Sequence, residues 1–302
     1  MILPKVTVVV PAYNEQEGIG RTLSELTSHF PDAEILVIDD GSTDATAERV
    51  ACTHGVRLLR HETNRGYGAS IKTGIRNARG DLIAWYDADG QHTAEGLERL
   101  LRVIEAEKLH AVIGERGDGS AVDPRRKLGK AVLSLIVQMI AGERIPDINC
   151  GLRVFKRSVI RRYVHLLPDG FSASITSTLL MRERGYRFRF VPVITRGRIG
   201  TSSVRRVRDG LRSIQTSLRI LVLFQAFQAF SVVAGLLFGI GSFYGVGMAL
   251  TYGQGFPALA SILVLSGVII FFMGLLTDQV VALRMERLEE NAEVHNPRDT
   301  AP

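Results

Sequence analysis

The stretch Leu82-Ile83-Ala84-Trp85-Tyr86-Asp87-Ala88-Asp89-Gly90-Gln91-His92 decides the fold. Its first five residues form an apolar and aromatic run that reads as a buried strand. Asp87 sits at the carboxyl end of that strand, and an acidic turn follows.

Working toward the amino terminus, the same pattern recurs three times. Val6-Thr7-Val8-Val9-Val10 is a β-branched run that Pro11 ends, Ile35 to Ile38 is a second strand, and Val56 to Leu59 is a third. Helical stretches lie between them. One runs from about Gln16 to His29 with Ile19, Leu23 and Leu26 on one face. Another runs to about His54 behind a cap at Ser42 or Thr43, and a third ends near Ala78. This alternation predicts an α/β domain of right-handed βαβ units with a mostly parallel sheet and helices on both faces. Ligands bind outside the carboxyl ends of such strands. Pro11 to Glu15, Asp39 to Ser42 and Asp87 to Gln91 all fall on that rim. No G-x-G-x-x-G follows the first strand, which argues against a dinucleotide cofactor.

Working toward the carboxyl terminus, the pattern loosens. A helix is expected over Ala94 to Glu107 and a short strand over Ala111 to Gly114. A Gly-, Asp- and Arg-rich loop over Gly117 to Arg126 and an apolar helix from about Lys127 to Ala141 follow. Gly151 to Phe155 is a candidate strand, Ser174 to Arg184 a helix and Phe188 to Val193 the last strand. Val204, Val207, Leu211, Ile214 and Leu218 then recur at helical spacing with arginines on the other faces. This is the pattern of a helix lying in a membrane interface. Ile220 to Thr277 contains no Asp, Glu, Lys or Arg. Ile220 to about Leu250 and Ala258 to Thr277 each suffice for a membrane span, the second with about twenty residues. Arginines precede the first span, and Arg284 and Arg287 follow the second, which predicts that both ends lie in the cytoplasm. The expected division is a catalytic domain over 1–203, an amphipathic helix over 204–219, a helical hairpin over 220–283 and a polar tail over 284–302.

The net charge of +6 fits this placement. Arg196, Arg198, Arg205, Arg206, Arg208, Arg212 and Arg219 crowd ahead of the apolar region, where a lipid bilayer would attract them. With no zinc-finger spacing and no aromatic-rich RNA motif, a nucleic-acid partner is not expected. Cys52 and Cys150, far apart and in no C-x-x-C pattern, read as reduced buried thiols in a cytoplasmic domain.

Asp87 and Asp89 are spaced to hold a hard cation that in turn holds a diphosphate, with Gln91 as a further oxygen donor. Such a cation would act as a Lewis acid on a departing nucleoside diphosphate. Asp39 and Asp40 read either as turn and cap residues or as acceptors for a base N–H or ribose hydroxyl, with Asp40 the better ligand candidate.

Four motifs occur in order: Pro11-Ala12-Tyr13-Asn14-Glu15, Asp39-Asp40-Gly41-Ser42-Thr43-Asp44, Asn64-Arg65-Gly66-Tyr67-Gly68 and Asp87-Ala88-Asp89-Gly90-Gln91-His92. Together they resemble the inverting GT-A glycosyltransferases that include dolichyl-phosphate mannose synthases and bacterial polyprenyl-phosphate sugar transferases. The resemblance covers roughly residues 5 to 205. It takes in Asn149-Cys150-Gly151-Leu152-Arg153-Val154-Phe155, similar to the family's S-G-x-R segment. It implies that Pro11, Tyr13, Glu15, Ile38, Asp40, Asp87, Ala88 and Arg116 bind a nucleotide sugar. It implies that Asp87, Asp89 and Gln91 hold Mg²⁺ or Mn²⁺. Arg198-Ile199-Gly200-Thr201-Ser202-Ser203 resembles the R-x-G-x-S-K segment that contacts phosphate, so Arg198, Ser202 and Arg205 are expected at the acceptor phosphate. Ser203 stands where Lys is usual. Asp87, Asp89 and Arg198 are the implied catalytic residues. The implied partners are a nucleotide-sugar donor, a polyprenyl phosphate and, through the hairpin, further copies of the chain as a homo-oligomer. Two alternatives remain open: an acceptor hydroxyl on a glycolipid or glycan, and a non-catalytic membrane scaffold.

Overall fold

The computed structural model describes residues 5–116, 146–147, 150–170, 172–197, 208–253 and 255–295, with side chains of 208–225 and 284–295 excepted. The expected loop over 117–126 and helix over 127–141 lie outside the described residues. The chain divides into two compact units, Met1–Asp209 and Gly210–Pro302.

The first unit is built on a seven-stranded sheet: β1 (Val6–Ala12), β2 (Glu34–Asp39), β3 (Val56–Arg60), β4 (Leu82–Trp85), β5 (Ala111–Arg116), β6 (Arg153–Lys156) and β7 (Phe188–Val193). The strand order is β3-β2-β1-β4-β6-β5-β7. The first four strands pair in parallel; Val8 lies opposite Ile35 on one side and Ala84 on the other. β6 is antiparallel to both β4 and β5, and β7 returns parallel to β5. The sequence expects β6 as a strand but carries no signal for its reversed direction. The consequence is functional. The amino end of β6 joins the carboxyl ends of β1, β2, β4, β5 and β7 along one edge.

The helices are α1 (Ile19–His29), α2 (Thr46–Ala51), α3 (Tyr67–Asn77), α4 (Ala94–Ala106), α5 (Arg157–Arg162) and α6 (Ala173–Glu183). Alternate residues of a strand point to opposite faces. Val8, Val10, Ile35 and Val37 therefore share one core cluster with Ile19, Leu23 and Leu26 of α1 and with Leu97 and Leu100 of α4. The opposite face takes α3. Gly74 permits the close fit, because an added Cβ would lie 2.2 Å from Val9 Cγ1.

Two helix starts differ from expectation, for one reason. The backbone before them is already claimed by the rim. Gln16 N–H bonds Asp44 Oδ2 and Gln16 Oε1 accepts from Ala45 N–H, so α1 starts at Ile19. Ser42 Oγ accepts from Asn14 N–H, and α2 starts only at Thr46, whose N–H bonds Asp44 Oδ1. The cysteine expectation is half corrected. Cys150 is buried, and burial pushes its thiol up to about 11, whereas Cys52 at the end of α2 is exposed.

In the second unit, α7 (Arg208–Tyr252) runs without a break through residues 219 and 220, and α8 (Ala258–His295) follows Gly253 and its φ of +61°. Ala226–Tyr252 and Ala258–Leu283 are long and apolar enough to cross a membrane. The two helices pack through glycines. A Cβ on Gly267 would lie 2.9 Å from Ala234 O, and one on Gly241 would lie 2.8 Å from Leu263 Cβ. Close approach through small residues is how apolar helices associate where lipid removes the hydrophobic drive. Outward-facing Phe243, Leu250, Leu265 and Leu276 are exposed.

Candidate active site

The site is assembled from loops that leave one edge of the sheet. β1 lies between β2 and β4, and the chain order reverses there, which is the crevice where open α/β sheets take their ligands. Pro11 is buried at the end of β1, with half-buried Tyr13 and Glu15 just beyond it. Asn14 has a φ of +53°, tolerated by Asn more readily than by most residues. That twist aims its N–H at Ser42 Oγ (3.0 Å) and its Oδ1 at Thr43 N–H (2.9 Å). Glu15 N–H adds a bond to Thr46 Oγ1 (2.9 Å). The loops after β1 and β2 are thereby tied side by side. Asp44 anchors this tie. Burial pushes its carboxyl up, but bonds from Thr46 and from the backbone hold it below the usual carboxylate range.

Both aspartates after β2 are engaged in building. Asp39 Oδ1 accepts from Ser42 N–H (3.0 Å) and Oδ2 lies 2.9 Å from Arg60 Nε. Asp40 Oδ1 accepts from Arg65 N–H (3.0 Å) and lies 2.7 Å from His61 Nδ1, while Oδ2 accepts from Gly66 N–H (2.7 Å). His61 in turn meets Thr73 Oγ1 at 2.9 Å. Asp40 is 3% exposed, so what it offers a ligand is the remaining lone pair of Oδ2. Ile38 is fully buried in the sheet, in register with Pro11 on one side and Leu59 on the other.

The end of β4 is arranged differently. Gly18, just before α1, fits against the backbone of Ala88 and Asp89, where an added Cβ would lie 3.0 Å from Ala88 O. Thr22 Oγ1 donates to that same carbonyl at 3.2 Å. Asp89 Oδ1 accepts from Gln91 N–H (3.1 Å), and Gly90 makes the turn with a φ of +71°. Asp87 Oδ2 lies 3.3 Å from His92 Nε2, and His92 is buried edge-on against Tyr86. Asp87 Oδ1 is buried, with no hydrogen bond of normal geometry among the described residues. Burial pushes the Asp87 carboxyl up. The His92 bond and charge, the Tyr67 hydroxyl and the charge of Arg116 outweigh burial and leave it below the usual range.

From the other half of the sheet come two arginines with opposite situations. Arg116, at the end of β5, makes a bidentate pair with Asp147 through Nε (2.6 Å) and Nη2 (2.9 Å). This pairing keeps it protonated and fixed in direction. Arg153 is fully buried; it donates to Cys150 O, Ser174 O, Ser177 Oγ and Thr178 Oγ1 and lies 6.0 Å over Trp85. The sequence reading named the segment containing Arg153 but gave that residue no role. Its signal was an arginine in an otherwise apolar strand. Past β7, Arg196 N–H bonds Gln91 O (2.8 Å) and its guanidinium pairs with Glu25 (2.7 Å). That bond brings the chain just past β7 to the acidic turn. Arg198, Ser202 and Arg205 themselves lie outside the described residues.

Asp87, Asp89 and Gln91 fit a hard divalent cation by donor chemistry. All offer oxygen, and Asp87 Oδ1 is a buried acceptor without a normal hydrogen bond. No group of three His, Cys, Asp or Glu side chains that could hold a metal occurs among the described residues. Mg²⁺-type ions take one or two carboxylates and complete their shell with phosphate and water, so two carboxylates suffice.

Residues 7–166 match the family described as glycosyl transferase family 2. An uncharacterized protein of Methanocaldococcus jannaschii, MJ1222, is 32% identical over 199 residues, covering 63% of this chain and 81% of that one. The undecaprenyl-phosphate 4-deoxy-4-formamido-L-arabinose transferase of Salmonella choleraesuis is 36% identical over 170 residues, covering 52% of this chain and only 50% of its own length. Among solved structures, the glucosyl-3-phosphoglycerate synthase of Mycobacterium tuberculosis in complex with Mn²⁺, UDP and phosphoglyceric acid superposes with a TM-score of 0.57. It covers 72% of this chain and 78% of its own, at 18% identity. The mannosyl-3-phosphoglycerate synthase of Rubrobacter xylanophilus gives a TM-score of 0.55, covering 72% of each chain at 20% identity. These likenesses share the GT-A fold.

Proposed function

The chain belongs to glycosyl transferase family 2, and on that premise we propose that it transfers a sugar, with inversion, from a nucleotide-sugar donor to a polyprenyl phosphate at the cytoplasmic face of a membrane. The observation that carries the proposal is the end of β4. Two carboxylates and an amide there supply oxygen donors beside the β1/β4 crevice, in a chain with two membrane-length apolar helices.

In this reading Pro11, Tyr13, Glu15, Ile38 and Asp40 line the nucleoside side. Asp87, Asp89 and Gln91 hold Mg²⁺ or Mn²⁺ against the diphosphate, with Ala88 packed behind them. The ion would neutralise negative charge on the departing nucleoside diphosphate. Arg116, steered by Asp147, faces the sugar-phosphate region. Arg198, Ser202 and Arg205 take the acceptor phosphate. The acceptor needs no strong base, because its phosphate oxygens are largely ionised near neutral pH. One oxygen attacks the anomeric carbon in line and forms the new C–O bond. The old bond breaks with its electron pair leaving on the nucleoside diphosphate. The fixed positive charges would be worth most in that transition state.

Two findings support the lipid acceptor over a soluble one: the relative from Salmonella choleraesuis is named as an undecaprenyl-phosphate transferase, and the two apolar helices could hold the chain in a bilayer. The test is product formation from a panel of nucleotide sugars with undecaprenyl phosphate, undecaprenol, diacylglycerol or 3-phosphoglycerate as acceptor. The expected product is the undecaprenyl-phosphate sugar alone. Transfer to an alcohol or to 3-phosphoglycerate, with none to undecaprenyl phosphate, would overturn the proposal.

A further inference from the structure

Three motifs far apart in sequence meet on one side chain. Gly151, just before β6, has its backbone against the Asp87 carboxylate. A Cβ there would lie 2.0 Å from Oδ2 and 2.7 Å from Oδ1. Tyr67, the first residue of α3, has a buried hydroxyl oxygen that interacts with the same carboxyl. Arg153, two residues beyond Gly151, is buried close enough for its charge to act on both Tyr67 and Asp87. His92 closes the remaining side at 3.3 Å.

The place of Tyr67 is itself over-determined. Gly66 turns the chain with a φ of +103°, and its N–H is held by Asp40 Oδ2 at 2.7 Å. Gly68 abuts Pro168 O, which an added Cβ would approach to 2.0 Å, and Ala69 N–H bonds Asp169 O. Asp89 Oδ1 accepts from the Gln91 N–H of its own loop. Asp87 also meets residues from α3 and from the segment that enters β6. A flexible carboxylate that must meet a metal in one direction gains from such supporting contacts.

We propose that Gly151 and Tyr67 are positioning residues that seat Asp87 and fix the direction in which its carboxylate meets a metal-bound nucleoside diphosphate. The inference rests on the donor-site reading above for the ligand, but the seat itself is a property of the protein alone.

The test uses the purified full chain and its G151A and Y67F variants. Affinities for UDP and GDP are measured by calorimetry with and without Mn²⁺. Each variant should lose about tenfold or more of the Mn²⁺-supported affinity, with metal-free affinity unchanged within about twofold. A merely structural role would weaken both. Wild-type Mn²⁺ dependence in Y67F overturns the proposal, and Y67F alone decides if G151A does not fold. A thermal double-mutant cycle between Y67F and D87N, without ligand, separates the seat from the donor reading. Y67F should lower the melting temperature of the wild type more than that of D87N. If that coupling is present while the wild type shows no Mn²⁺ gain, the donor reading fails and the seat stands. If the two melting shifts simply add, the seat is refuted.

Discussion

The ends of β2 and β4 both carry a pair of acids, and they use them in opposite ways. After β2, Asp39 and Asp40 have three of four carboxylate oxygens occupied by backbone donors or a histidine, and the fourth lies against Arg60. After β4, Asp87 keeps a buried oxygen with no normal hydrogen bond, and Asp89 has one oxygen taken by its own loop. Saturated carboxylates build loops. A buried carboxylate oxygen without a normal hydrogen bond, as on Asp87, can bind a cation. Two strands of one sheet, with β1 between them, thus divide loop building from capacity for a ligand, although both motifs look like acidic turns in sequence.

That contrast is open to direct attack. The largest effect is expected for D89A. Sugar transfer should fall on the order of 10²-fold, with a smaller loss of stability than in D40A, because Asp89 gives up the Gln91 N–H bond whereas Asp40 holds two backbone N–H groups and a histidine; undiminished turnover would break the comparison. D40A should show the reverse emphasis. Losing Asp40 strands the Arg65 and Gly66 N–H groups and should cost about 2 kcal/mol in denaturant unfolding. Its effect on UDP affinity should be the same with and without Mn²⁺. H61A removes one partner of Asp40 and should cost about 1 kcal/mol by the same measurement; no measurable loss would mean that Asp40 is not held from that side.

The smallest effect concerns the opposite end of β2. Burial pushes the Glu34 carboxyl up, yet bonds from Thr7 Oγ1, Arg79 N–H and Arg57 hold it below its ordinary value of 4.5. A carboxyl depressed in the folded state stabilises it above the unfolded pKa, and that gain is lost as pH falls through the folded pKa. Melting temperature should therefore drop between about pH 5 and pH 3 in the wild type and drop less in E34Q. Equal slopes would show that Glu34 adds nothing.

Much of this architecture was legible beforehand. Short β-branched or aromatic apolar runs ended by Pro11, Asp39 and Asp87 mark buried strands whatever their neighbours, and the uncharged run from Ile220 to Thr277 marks the two long helices. The direction of β6 was not legible, because four residues of strand carry no mark of which way they run. Nor were the starts of α1 and α2, which depend on hydrogen bonds between loops some thirty positions apart, such as Asn14 with Ser42. The motifs pointed to the rim, yet the division of labour between Asp40 and Asp87 depends on which donors surround each carboxylate. Periodicity also passes over Gly151, whose importance lies in an absent side chain beside Asp87.

The central claim, that β4 supplies the metal-dependent donor site, is tested most directly by calorimetric titration of UDP and GDP into the wild type and D89A, each with and without Mn²⁺. The account predicts that Mn²⁺ strengthens binding of one nucleotide by about tenfold or more in the wild type and does nothing in D89A. The same Mn²⁺ enhancement in both proteins would contradict it.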